Sequence, residues 1–180
     1  MLEIRIHSRG GQGGVTASKL LAQAAFLEGK YGTAFPLYGA ERRGAPVTSF
    51  TRISDHDIKV VSQVYNPDIV IVLDDTIMDL VDVTVGLKEG GLLVVNTENG
   101  EKLKDPKYNK FRIARVNVTD IALSLGLVLS GNPILNTPIV GAMAKLGVVK
   151  LESAEKAIRD MFSDERNVKA AEAAYEKVIV

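Results

Sequence analysis

A short alternating strand that runs straight into a cluster of glycines constrains this chain more than any other feature. Leu2, Ile4 and Ile6 alternate with Glu3, Arg5 and His7, a period of two that suits a strand, and Arg9-Gly10-Gly11-Gln12-Gly13-Gly14 follows at once. Beyond the glycines, Val15, Leu20, Leu21, Ala24, Ala25 and Leu27 recur at helical spacing, and Gly29 marks the end of that stripe. The chain therefore opens strand, glycine turn, helix, which is the entry to an α/β fold.

The rest of the chain extends the pattern. Tyr31 to Phe35 is apolar and leads into a loop, Pro36-Leu37-Tyr38-Gly39-Ala40-Glu41-Arg42-Arg43-Gly44-Ala45-Pro46, whose glycines and prolines exclude a regular element. Val47–Ile53 and Ile58–Val61 read as two strands of a hairpin turning at Ser54-Asp55-His56-Asp57, so part of the sheet is expected to be antiparallel. Ile69 to Leu73 is apolar at every position, as in a central strand covered on both faces. The pattern predicts a helix from Thr76 to Lys88, a buried strand from Leu92 to Val95 after Gly90-Gly91, and a further strand from Arg112 to Val116. Thr137-Pro138 has the cap and first-turn signature of a helix, with Ile139, Val140, Met143 and Leu146 behind it. Two more helices are expected: Leu151–Phe162, with Leu151, Ala154, Ile158, Met161 and Phe162 inward, and a last one over about 164–179, with Val168, Ala171, Tyr175 and Val178 inward. The expected architecture is a Rossmann-like α/β three-layer sandwich with a mixed, partly antiparallel sheet and a helical C-terminal third, residues 1–180 forming one domain.

Composition narrows the chemistry. No cysteine occurs in 180 residues, so Fe–S clusters, thiolate zinc, disulfides and cysteine nucleophiles are excluded from this chain. The 22 Lys and Arg balance 22 Asp and Glu and are interspersed, which argues against a nucleic-acid partner. Glu3 interrupts any leader-like start and no apolar run reaches the roughly 20 residues of a membrane span, so a cytoplasmic protein without membrane contact is expected.

Two segments could carry binding chemistry. Glycines between a strand and a helix let backbone N–H groups approach an anion at the positive end of the helix, which makes Gly10, Gly11, Gln12, Gly13 and Gly14 candidates for a phosphate; a tight packing turn explains them equally well. The dinucleotide fingerprint is incomplete, because Thr16 stands where its third glycine belongs, and Lys19 is at the wrong distance for a lysine-type phosphate loop. Arg42 and Arg43, in a loop of small residues, can offer planar forks to phosphates or carboxylates, with Glu41 orienting one; surface arginines on a connection are the plainer reading. Asp74 and Asp75 stand at the carboxyl end of a central strand, where α/β sheets place ligands, although a carboxylate before Thr76 also suits a helix cap. His7 and His56 are not placed as a metal pair, and Ser8, Thr16 and Ser18 have no base partner, so neither a metal site nor a hydrolase triad is supported and catalytic residues are unknown. Asn132 to Pro138 reads most simply as a loop and helix start.

In order and spacing, these motifs resemble the gamma subunits of the 2-oxoacid:ferredoxin oxidoreductases, the pyruvate synthase type in particular. The resemblance rests on Arg9 to Gly14 with Ala17-Ser18, on Phe35 to Pro46, on Asn66-Pro67-Asp68 and on Asn136-Thr137-Pro138, and it runs from Ile4 to about Phe162. It implies a complex that converts a 2-oxoacid, chiefly pyruvate, and coenzyme A to acyl-CoA and CO2 while reducing ferredoxin, or the reverse. It also implies thiamine diphosphate, Mg and 4Fe–4S clusters in partner subunits of alpha, beta and delta type, and a structural, coenzyme-A-handling role for this chain. On that basis Arg42 and Arg43 would hold coenzyme A phosphates, with the glycine turn facing a phosphate or a partner. Tyr38, Glu41, Gly44, Pro46, Asn136 and Thr137 would orient the loop or line an interface. The Glu41-Arg42-Arg43-Gly44-Ala45-Pro46 form leans toward pyruvate or branched-chain 2-oxoacids such as 2-oxoisovalerate, and away from the Pro-Glu-Ala-Arg-Gly-Gly pattern of the 2-oxoglutarate members. The rival readings are a stand-alone nucleotide-binding protein using the glycine turn and Asp74, and a pure scaffold.

Overall fold

Left-handed glycines make the first crossover tight. In a computed structural model that describes residues 1–37 and 44–180, strand β1 (Leu2–Arg9) ends at Gly10, and helix α1 (Gly14–Leu27) begins four residues later. Gly11 and Gly13 have φ of 91° and 90°, backbone that a Cβ disfavours. Gly29, at φ 77°, turns the chain into β2 (Tyr31–Leu37), and β3 (Pro46–Ser54) returns antiparallel. Three parallel strands follow: β4 (Ile69–Val72), β5 (Leu92–Asn96) and β6 (Arg112–Val116). Helix α2 (Val118–Ser124) and a small hairpin of β7 (Val128–Leu129) and β8 (Asn132–Pro133) lead to α3 (Asn136–Lys145), α4 (Leu151–Met161) and α5 (Arg166–Lys177).

The large sheet has the order β2-β3-β1-β4-β5-β6, with β1 antiparallel to β3 and parallel to β4. The chain leaves β1 toward β2 on one side, while β4, β5 and β6 are added on the other. The carboxyl ends of β1 and β4 therefore flank the point where the direction of winding reverses, the usual crevice of such sheets.

The sheet is covered unequally. Ile4, Ile6, Ile71 and Val94 face one large core against the α-helices. Val70, Val72, Leu93 and Val95 face a smaller core closed by 3₁₀ turns and irregular chain, with Ile77, Val83, Tyr108 and Phe111. This division accounts for the unbroken apolar runs of β4 and β5, since each successive side chain enters a different core. At the outer edge of β6, Ile179 and Arg115 exchange backbone hydrogen bonds of 2.8 and 2.9 Å. Among the described residues no helix is long and apolar enough to cross a membrane.

Several local expectations are corrected. Residues 58–61 form no strand, because both edges of β3 are already occupied by β1 and β2. The carbonyl of Val60 instead accepts from the buried Arg52 guanidinium, as does that of Gln63 at 3.2 Å. The antiparallel part of the sheet is thus β2-β3-β1. The helix expected from Thr76 to Lys88 is a single 3₁₀ turn, Asp75–Asp79. Asp74 caps that turn by accepting the Thr76 N–H at 3.0 Å, and farther on Asp82 accepts the Thr84 N–H at 2.9 Å, capturing a backbone donor that a continuing α-helix would need. Helix α2 was not foreseen. Helix α3 begins at Asn136, so Thr137 lies inside it, its hydroxyl 3.3 Å from Asn167 Oδ1 rather than capping. Met161 is 42% exposed instead of inward. The last helix stops at Lys177, because Ile179 is committed to Arg115.

Candidate functional site

The side chain of Arg9 spans the crevice at the reversal point. Its Nε donates to Asp74 Oδ2 at 3.1 Å, its Nη2 to the Thr76 hydroxyl at 2.8 Å, and its Nη1 to the Gly44 carbonyl at 3.0 Å. Gln12 completes the group: its amide donates to Asp74 Oδ2 at 2.9 Å, and its carbonyl oxygen accepts the Arg9 N–H at 2.7 Å. Burial alone would raise the Asp74 carboxyl. Hydrogen bonds from the Thr76 hydroxyl, Gln12 and the Thr76 N–H, with the Arg9 charge, outweigh it and hold Asp74 below the ordinary aspartate value.

The same cluster fixes the downstream end of the arginine loop. Gly44 donates its N–H to the Gly10 carbonyl at 3.2 Å, and Gly10 donates to Ala45 at 2.8 Å, so the β1–β3 ladder continues into the glycine turn. Pro46 pairs with Arg9 in that ladder. Tyr38, Glu41, Arg42 and Arg43 lie outside the described residues.

On the helical side, Asn136 closes over the glycines. A Cβ at Gly13 would stand 3.0 Å from Asn136 Cβ, and one at Gly14 would collide with the Ser8 hydroxyl. The Leu135 N–H reaches the Gln12 carbonyl at 3.4 Å. The structure thus joins three segments that the sequence holds apart: the glycine turn, the Gly44-Ala45-Pro46 end of the loop and Asn136 at the start of α3. Thr137 points away, toward Asn167.

Two hollows adjoin this junction. One, of about 530 Å³, is lined by Gln12, Asp74, Asp75, Asn96, Asn117 and Asp120, an acidic wall that repels phosphate. The other, about 400 Å³, is bounded by the Gly10–Gly14 turn with Val15, Thr16, Val47, Ile134, Asn136 and Phe162, and here the first N–H groups of α1 meet an otherwise apolar surface. No acidic residue occupies the first turn of α1, so nothing there opposes an anion. Among the described residues no group of three or more His, Asp or Glu is placed to hold a metal ion.

The sequence left Asp74 between a ligand position and a helix cap; it does cap through Oδ1, while its other oxygen receives Arg9 and Gln12. Arg9 itself carried no assigned role. The available signal was the position of both residues at the carboxyl ends of neighbouring strands.

Comparison with known proteins agrees with this geometry. Residues 3–177 match the model of the pyruvate ferredoxin/flavodoxin oxidoreductase family. The chain is 55% identical over 186 residues to the common gamma subunit of pyruvate/ketoisovalerate oxidoreductases of Thermococcus litoralis, with 100% of this chain and 98% of that protein covered. It is 48% identical to pyruvate synthase subunit PorC of Methanocaldococcus jannaschii over 99% of this chain and 98% of that protein. The crystal structure of pyruvate oxidoreductase subunit PORC of Thermotoga maritima superposes with a TM-score of 0.82 at 41% identity, covering 99% of this chain and 97% of that one. With nearly its whole length matched at both levels, the chain belongs to the pyruvate ferredoxin/flavodoxin oxidoreductase family.

Proposed function

We propose that the chain is the gamma subunit of a 2-oxoacid:ferredoxin oxidoreductase acting on pyruvate. Such a complex converts pyruvate and coenzyme A to acetyl-CoA and CO2 and passes the electrons to ferredoxin, or runs the reverse. Thiamine diphosphate with Mg supplies the carbon–carbon cleavage in enzymes of this type, and 4Fe–4S clusters carry the electrons. This chain's residues do not fit those groups: it has no cysteine for a cluster, and its carboxylates at Asp74 and Asp82 are engaged by neighbouring donors. Those centres belong to alpha-, beta- and delta-type partners in this reading.

The task left to this chain is to handle coenzyme A. The observation that supports it is the pinned Gly44–Ala45 pair: Arg43 is the residue before Gly44, and Gly44 is bonded both to Gly10 and to Arg9. Arg42 and Arg43 directly precede Gly44 in the chain, and in this reading their guanidinium forks share the phosphates of one ligand with the helix N–H groups of the glycine turn. The acidic hollow beside Asp74 speaks against a nucleotide bound in the dinucleotide manner, so the stand-alone reading is not favoured.

The test is steady-state kinetics of the assembled complex carrying Arg42→Ala or Arg43→Ala. Losing a charge-assisted hydrogen bond of about 1.5–3 kcal/mol raises the Michaelis constant for coenzyme A by roughly tenfold to a hundredfold, with the constant for pyruvate unchanged. An unaltered coenzyme A constant in both variants, with intact assembly, would refute the role. Lost assembly instead would assign the loop to subunit contact.

A further inference from the structure

Two arginines on the less covered face of the sheet are finished differently. Arg52 of β3, fully buried, meets Glu3 Oε1 at 2.8 Å. Arg5 of β1, partly buried, has no carboxylate within ion-pair distance among the described residues. Taking a charge out of water without a counter-charge is costly, so an unpaired arginine of this kind asks for an anion.

The strand register fixes what Arg5 faces. It pairs with Val70, and His7 with Val72, so both side chains stand on the side of the smaller core, opposite α1. Arg5 Nη2 donates to the carbonyls of Val83 and Val85 at 2.9 and 2.6 Å, and its Nε donates to His7 Nε2 at 3.1 Å. Nη1 has no partner among the described residues. Because His7 Nε2 accepts, the imidazole proton belongs on Nδ1, and that N–H is also without a partner among the described residues. Burial first, and the Arg5 charge second, hold the His7 value at about 4, so the ring is a neutral donor at pH 7. The nearest acidic influence is Asp82, which acts on Arg5 from beyond ion-pair distance while its Oδ1 accepts from the Thr84 N–H and hydroxyl at 2.9 and 2.6 Å.

Arg5 and His7 both line a hollow of about 330 Å³. Phe50, Val64 and Ile77, all buried, form its inner wall, and Leu37, Val81 and Val85, exposed by 42%, 46% and 64%, stand at its mouth. Apolar walls with a few convergent polar groups are the usual form of a small-ligand site. Here the polar end supplies donors and a positive charge, and what it lacks is a negatively charged acceptor.

We propose that this hollow binds a small aliphatic carboxylate, its oxygens received by Arg5 Nη1 and His7 Nδ1 and its carbon chain laid on Phe50, Val64 and Ile77. A cation would meet Arg5, and a neutral apolar molecule would leave both donors unmet. A carboxylate satisfies the two donors with charge-assisted hydrogen bonds, and its apolar body suits the walls. The site lies across the sheet from the start of α1 and does not rest on the coenzyme A reading.

The chain has two histidines, and His56, in an exposed bend outside the hollow, serves as an internal control. In proton–carbon correlation spectra of the full chain at pH 7 and fixed ionic strength, isovalerate should move the His7 ring signals along a saturable curve and leave those of His56 in place. The dissociation constant should be on the order of 1 mM, the range open to so small a ligand. Isoamyl alcohol, with the same carbon skeleton and no charge, should bind at least roughly tenfold more weakly, and Arg5→Gln should weaken isovalerate by about the same factor. Val81→Trp fills the mouth without touching a side-chain hydrogen bond of the fold; it should abolish the response while circular dichroism stays that of the parent, and it carries the test if Arg5→Gln misfolds. No saturable shift up to about 20 mM isovalerate, well above that range, equal binding of acid and alcohol, equal movement of His56, or an undiminished response in Val81→Trp would each overturn the site.

Discussion

At Asp74, burial and hydrogen bonding pull in opposite directions, and hydrogen bonding wins. The consequence for stability has a definite sign. A carboxyl held below its ordinary value stabilises the fold at neutral pH, and that contribution is lost as pH falls through its folded value, below 3.8. Asp74→Asn should therefore lower unfolding free energy by about 1–3 kcal/mol in urea titration at pH 7 and speed amide exchange at Gly44 and Ala45, since Arg9 loses the partner that holds it against them. His7 acts in a higher window. Burial first, and the Arg5 charge second, lower its value from 6.5 to about 4, and its Nε2 accepts from Arg5 Nε at 3.1 Å. The unfolded chain binds a proton below 6.5 that the folded chain refuses, so stability should fall by about 3 kcal/mol as pH drops from 6.5 to 4. A His7→Gln variant should flatten that stretch of the stability profile. Neither residue announced this role in the sequence: Arg9 and Asp74 are 65 positions apart, and only the parallel pairing of β1 and β4 makes them neighbours.

At the level of elements, legibility followed the number of covered faces. The runs of β4 and β5 were readable because both faces of each strand are buried and Gly90-Gly91 marks the start of β5, whereas β6 was readable from its alternation, with Ala114 and Val116 inward. The false hairpin at 58–61 and the false helix at 76–88 have apolar residues without an available partner. Val61 is 91% exposed, Val85 64% and Leu80 62%, while Ile77, Val83 and Leu87 are buried by irregular chain, so apolar residues there did not mark a regular element. Helix α2 escaped notice because only seven residues form it. Close approach between helices was equally hidden. At Gly141 an added Cβ would run into the Ala171 carbonyl, so α3 packs on α5 through bare backbone. Gly141→Ala should separate the two helices and cost about 3 kcal/mol, read as a lowered midpoint of thermal unfolding, whereas Gly147→Ala meets open space and is limited to the strain of its φ of 81°. The glycine turn and the loop it anchors were visible as motifs, but their junction with Asn136 required the fold.

Over the whole molecule, α-helices cover one side of the sheet and short turns the other, while the last residues close one edge. Removing residues 178–180 should leave the outer edge of β6 open, with faster amide exchange at Arg115 and a greater tendency to aggregate on heating. The absence of cysteine and the balance of charge place any cationic task of this chain on a few arginines rather than on a basic face. The order in which the parts are made also matters. A ribosome completes β1 to β6 before any of α3, α4 and α5 exists, yet Ile4, Ile71, Val94 and Ala114 share a core with Ile139, Ile158 and Ala171 from those helices. The nascent chain thus carries an open Ile- and Val-rich face until its final third emerges, so ribosomes stalled near residue 135 should display a protease-sensitive, chaperone-binding intermediate that vanishes once α5 is released.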